Sequence, residues 1–150
     1  MKYKLVILFL FISISTYATG NTVIWGQTGH RVVGEIAYSH LTNKAKRNIE
    51  KLLNGEGLAI ISTYADEIKS DKKYREFGTW HYVNFKDGES YETSEKNPKG
   101  DLIQGIKKCQ EVISNPDASK EEKIFYVKLL VHLLGDLHQP LHIGRSEDRG

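Results

Sequence analysis

The 150-residue chain is expected to fold as an all-α, multi-helix domain. Three observations carry that expectation. Apolar residues recur at helical spacing nearly throughout, no stretch alternates apolar and polar residues as a half-buried strand does, and the clearest local signals are helix starts and stops. Composition agrees, since 39% hydrophobic, 10% aromatic and 27% charged residues with three Pro describe one globular core rather than a disordered or fibrous chain.

The elements follow in order. Lys2 and Lys4 precede an unbroken apolar run, Leu5 to Ile12, which leads to small residues at Ala18 and Gly20. That is the pattern of a signal peptide over residues 1–20. The run falls short of the ~20 residues that cross a bilayer. Cleavage after Gly20 leaves Asn21 first, and the product is expected to be secreted or periplasmic. Residues 21–150 then read as one domain, without internal repeats or linker-like stretches.

In that domain Val33, Ala37, His40 and Leu41 share one helical face. Ala45, Ile49, Leu52 and Leu53 share a second, and Leu58, Ile61, Ala65 and Ile68 form a third stripe. Thr42 and the Asn54-Gly55 pair punctuate them. Around Trp80 to Phe85 the pattern turns short and aromatic. Lys86 to Gly100 is polar, with turn signals at Asp87-Gly88 and Asn97-Pro98, so an exposed loop is expected. Two further helices follow. Leu102, Ile106, Cys109 and Ile113 line up on the first, which makes the single cysteine a small buried hydrophobe. The last helix starts at a capping box, Ser119 with Glu122, and Pro140 stops it.

Bulk charge excludes a generally basic surface. The formal net charge is +2, and two of the cations lie in the segment expected to be removed. Affinity for a polyanion must therefore come from a local feature.

Chemistry concentrates on the last helix. His132 and Asp136 stand four residues apart within Leu129, Leu130, Val131, Leu133, Leu134 and Leu137, so both project from one side. A carboxylate withdrawn from water requires a partner or a metal, and an imidazole one turn away is a natural zinc co-ligand. The plain alternative is a hydrogen-bonded His–Asp pair in a helical bundle. His142, just beyond the Pro140 stop, offers a third ligand, and His138 is also available as a ligand or as a partner that orients one. Elsewhere, His30 opens the first helix, Asp66 follows the third stripe, and His81 lies between Trp80 and Tyr82. Of the six histidines, five (His30, His81, His132, His138 and His142) lie outside solvated charge runs.

Four segments together, Trp25-Gly26-Gln27-Thr28-Gly29-His30, Ala65-Asp66-Glu67-Ile68-Lys69, Trp80-His81-Tyr82 and His132 to His142, resemble the zinc-dependent S1/P1 nucleases. These are exported enzymes that degrade single-stranded nucleic acid. The resemblance implies a phospholipase C/P1 nuclease-like fold with a cluster of up to three zinc ions. It implies that Asp66, His81, His132 and Asp136 complete one zinc site, with Asp136 bridging to a second ion held by His30 and by the amino group and carbonyl of Trp25. His142 would be one ligand of a third. A free amino group on Trp25 requires cleavage after Ile24 rather than after Gly20. The family pattern continues past Gly150 with a further His and Asp, so 21–150 reads as the N-terminal part of a single nuclease-like domain, truncated at its C-terminus.

The implied reaction is phosphodiester hydrolysis of single-stranded DNA or RNA to 5′-phosphate products, with Asp66 as the catalytic carboxylate orienting water. Lys69 matches a phosphate-contacting position, and Tyr82 and Asn84 match positions that stack on and hydrogen-bond a base. An aromatic platform accepts any unpaired base, because every base has a π face. No obligate protein partner is evident. Two other readings stand beside this one. A zinc phospholipase C uses a related ligand pattern on a lipid phosphodiester, and a non-catalytic helical protein would bind zinc or nothing.

Overall fold

The computed structural model describes residues 26–145; the expected signal peptide and Trp25 lie outside the described residues. The architecture is all-α, as expected. Six helices, α1 (Gln27–His40), α2 (Asn43–Leu52), α3 (Leu58–Ile61), α4 (Tyr64–Ile68), α5 (Leu102–Ser114) and α6 (Lys120–Leu137), are joined by 3-10 segments at Lys72–His81 and Pro140–His142. Two-residue strands, β1 (Val83–Asn84) and β2 (Ile143–Gly144), pair in parallel with Val83 opposite Ile143. Strands this short show no alternation, which is why the sequence gives no sign of them.

Helix α6 lies at the centre, packed against α5 on one flank and against α1, α3 and α4 on the other. Leu129 and Leu133 meet Leu102 and Cys109 of α5, together with Ala65 and Val83, in one core cluster. Leu53, Leu58, Ile61 and Val127 form a second. Cys109 is fully buried, and burial pushes its thiol up to about 12. It is the inert apolar residue its helical spacing suggested.

The inner face of α1 differs from expectation. His30 and Gly34 are buried, whereas Ala37 and His40 are exposed. Close approach decides this rather than hydrophobicity, because a Cβ on Gly34 would lie 2.8 Å from the Leu58 carbonyl oxygen and 3.0 Å from the Ala59 Cα. Only glycine lets α1 and α3 come so near.

The third apolar stripe is buried as expected but is not one helix. It divides at Ser62-Thr63, whose hydroxyls donate back to the carbonyls of Ala59 at 2.8 Å and Ile60 at 3.2 Å. Such side-chain bonds compete with the helical ladder and favour a break. The loop between β1 and α5 is largely exposed, yet Ser94 is buried and Tyr91 half-buried, so it is anchored rather than free.

Helix α6 begins at the expected capping box. Glu122 N donates to Ser119 Oγ at 3.1 Å, and Ser119 N donates to Glu122 Oε2 at 2.9 Å. Replacing Ser119 with Ala removes one arm, and a loss of about 1 kcal/mol in unfolding free energy is expected from urea titration. An unchanged midpoint would show that the capping box does not secure this helix.

Candidate metal centre

Helix α6 places His132 and Asp136 on one side, both buried. Three other parts of the chain bring groups to the same carboxylate. His30 Nε2, from α1, lies 3.3 Å from Asp136 Oδ1, and His81 Nδ1, from the end of the first 3-10 segment, lies 3.0 Å from Oδ2. His132 Nε2 is 3.2 Å from Oδ2, and His142 Nε2, from the second 3-10 segment, is 3.6 Å from Oδ1. Asp66 of α4 faces the cluster from the opposite side, 3.9 Å from both His30 Nε2 and His132 Nε2. The His30 and His132 rings stack at 4.0 Å.

Proton positions follow from the partners. Nδ1 of His132 lies 2.7 Å from the Ser62 carbonyl oxygen, at the break between α3 and α4. A carbonyl only accepts, so Nδ1 carries the hydrogen, and Nε2 faces Asp136 and His81 Nδ1, 3.1 Å away. Burial alone would raise the Asp136 pKa, but His132, His30 and His81 outweigh it and hold the carboxyl well below the usual carboxylate range. For Asp66, burial again raises the pKa, and Lys69, His132 and His81 together prevail and lower it. Burial lowers the His142 pKa, which favours its neutral, lone-pair-bearing form. Two carboxylates and four imidazoles thus converge on one space, a donor set that suits a cation.

The donors fit zinc. Donor atoms on a tetrahedron at about 2.0–2.1 Å from the ion stand about 3.3–3.4 Å apart. The separations around Asp136 run from 3.0 to 3.6 Å. Two triads, His30 with Asp66 and His132, and His81 with His132 and Asp136, have ligand atoms all within 4.8 Å of one another. His132 belongs to both.

The sequence profile of the S1/P1 Nuclease family matches residues 25–150. The chain belongs to that family. It is 28% identical to Endonuclease 2 of Arabidopsis thaliana over 148 residues, covering 89% of this chain and 50% of that protein. It is 28% identical to Nuclease S1 of Aspergillus oryzae over 150 residues, covering 93% and 51%, and 26% identical to Nuclease P1 of Penicillium citrinum over 127 residues, covering 79% and 47%. The chain therefore spans about half the length of the curated relatives it matches.

Of the residues singled out from the sequence, His30, Asp66, His81, His132, Asp136 and His142 come together. Lys69 Nζ donates to Asp66 Oδ1 at 2.8 Å, at the edge of this S1/P1-type cluster. Tyr82 and Asn84 do not enter it but line a neighbouring cavity of about 300 Å³. His138 is exposed and caps α6, with Nδ1 2.6 Å from the Leu134 carbonyl oxygen, so it does not reach the cluster.

Two participants escaped sequence reasoning. The Ser62 carbonyl orients His132 through the backbone, which no side-chain motif reveals. Gly135 admits His30: a Cβ there would lie 2.5 Å from His30 Nδ1. Its signal was present, because glycine inside a helix costs about 1 kcal/mol relative to alanine and calls for a packing reason.

Two outcomes follow for this centre. Gly135→Ala should displace the His30 ring, lowering stability by about 1–3 kcal/mol and lowering bound zinc, measured by urea titration and elemental analysis; a variant with unaltered zinc content would refute the cradle. In zinc-free protein, both carboxylates titrate lower when folded than unfolded. Their stabilisation is present above the unfolded value of about 4 and is lost as pH falls through the folded values. The urea midpoint should therefore drop as pH falls below about 5, and less steeply in Asp136→Asn. Parallel pH curves for the two proteins would contradict this.

Proposed function

We propose that this centre hydrolyses phosphodiester bonds of single-stranded nucleic acid, leaving 5′-phosphate ends. The observation that carries the reading is the convergence of His30, His81, His132 and Asp136 beside a cavity that presents Tyr82 and Asn84. His30, Asp66, His81, His132, Asp136 and His142 are the groups that would hold zinc, with Trp25 as a further ligand and up to three ions in the complete site. Zinc supplies a Lewis acid for the phosphoryl oxygen and renders a water acidic enough to react near neutral pH.

The chain's own side chains divide the remaining work. Asp66 is ionised and half-exposed, so it can accept a proton from the attacking water and orient it toward phosphorus. Lys69, 60% exposed and held by Asp66, presents its ammonium to a phosphate oxygen. Tyr82, 37% exposed, offers a ring face to an unpaired base, and Asn84 offers an amide to the base edge. A paired base cannot reach such a platform, which accounts for single-strand preference. The polyanion is thereby drawn to a concentrated local field on a chain of nearly balanced charge. Export through an N-terminal signal completes the proposal; no described helix is long and apolar enough to cross a membrane.

The test is release of acid-soluble nucleotide from single-stranded DNA by zinc-loaded protein, with Asp66→Asn lowering kcat by about 100-fold or more. Turnover of phosphatidylcholine without nucleotide release would replace this reading with a lipid phosphodiesterase. Less than one zinc per chain, with helicity indifferent to a chelator, would leave a non-catalytic helical protein.

A further inference from the structure

The start of α5 connects the cavity to the loop that walls it. Asp101 is 3% exposed and caps α5 by accepting from Gln104 N at 2.9 Å. The Tyr91 hydroxyl donates to the same carboxylate and lies 3.2 Å from each oxygen. The next amide, Leu102 N, donates to the Tyr82 carbonyl at 3.1 Å. Two adjacent residues thus hold two parts of the cavity lining: Tyr82 directly, and the loop through Tyr91.

The gripped loop is itself compact. Lys96 Nζ donates to the carbonyls of Tyr91 and Ser94 and stands 4.1 Å from the Tyr91 ring centroid. Phe85 meets Tyr91 edge to face at 6.2 Å. Ser94, Lys96 and Asn97 line the cavity together with Tyr82, Asn84 and Asp101 itself. A buried carboxylate is expensive unless its lone pairs are satisfied, and among the described residues the partners of Asp101 are Tyr91 and Gln104 rather than any group of the metal centre. Breaking one of those bonds frees a segment whose composition is that of a mobile loop.

We propose that Asp101 is a positioning residue for the substrate base: through Tyr91 it holds the Ser94–Asn97 part of the lining in place with Tyr82 and Asn84, and so sets affinity for the base without touching the phosphodiester. This rests on the nuclease reading, in which the cavity receives a base. The geometry makes the base and phosphate separable, since the metal ligands make none of these contacts.

Adenosine 5′-monophosphate and ribose 5-phosphate share a sugar phosphate and differ by the base. Calorimetric titration of the zinc-loaded chain with each gives an affinity ratio that does not depend on the fraction of protein folded. Tyr91→Phe should weaken the nucleotide about tenfold, as for a lost hydrogen bond to a charged group, and leave ribose 5-phosphate within about twofold. Asp101→Asn keeps a competent cap for α5 and should shift the ratio in the same direction. An unchanged ratio in both variants overturns the proposal, as does equal weakening of both probes. If the unaltered chain binds the two probes alike, the cavity does not read a base and the inference fails while the metal centre stands. If the ratio shifts as expected but no nucleotide is released from single-stranded DNA, the hydrolytic reading fails and the positioning role survives.

Discussion

A single buried anion organises this molecule. Asp136 lies in the last turn of α6 with its carboxylate withdrawn from water and imidazoles from α1, from the Lys72–His81 segment, from α6 itself and from the Pro140–His142 segment drawn in around it. Desolvating an ion costs several kcal/mol unless opposite charge and hydrogen bonds compensate. The fold supplies the means in apolar surface: Leu102, Leu129 and Leu133 are each almost wholly buried, contributing about 1.5–3 kcal/mol apiece. Leu129 and Leu133 flank His132 on its own helix, so the contacts that fix α6 also fix the ligands.

The broken helix between α3 and α4 fits into the same scheme. A continuous helix would engage the Ser62 carbonyl in its own ladder. The break turns that oxygen to His132 Nδ1, which places the hydrogen there and aims Nε2 at the cluster. What looks like a local failure of helical structure thereby helps to build the imidazole–carboxylate cluster. Ser62 and Thr63 secure the break with bonds to the preceding turn, so it does not depend on an occupant.

Much of this was legible in the sequence because the chemistry is unusual for its setting. His132 and Asp136 stand out inside a leucine-rich helix, and Ser119 with Glu122 marks where that helix begins. The convergence of His30, Asp66, His81 and His142 on that pair was legible only as a resemblance of four motifs, since their separations along the chain say nothing of direction in space. Misreadings arose where backbone proximity overrode side-chain pattern. Gly34 and Gly135 contribute no apolar surface, so periodicity ignores them, yet they decide which face of α1 turns inward and where His30 fits. His138 belongs to the richest motif and still points away, because one residue past the end of α6 its ring is taken by the Leu134 carbonyl.

The short parallel pairing of β1 with β2 shows how a small element can govern two tasks. Val83 lies two residues after His81, and Ile143 directly follows His142; their pairing ties the two imidazoles to one another through the backbone. Tyr82 between them is extended, with φ −149° and ψ 163°, and successive residues of extended chain face opposite ways. His81 therefore turns to Asp136 while Tyr82 turns to the cavity. Trp80 anchors the other end of this segment, because a Cβ on Gly105 would come within 2.8 Å of its ring. A shift of one residue in the pairing would move His81 and Tyr82 together. The spacing between the imidazole cluster and the cavity at Tyr82 is thus built into the backbone rather than left to two independent loops.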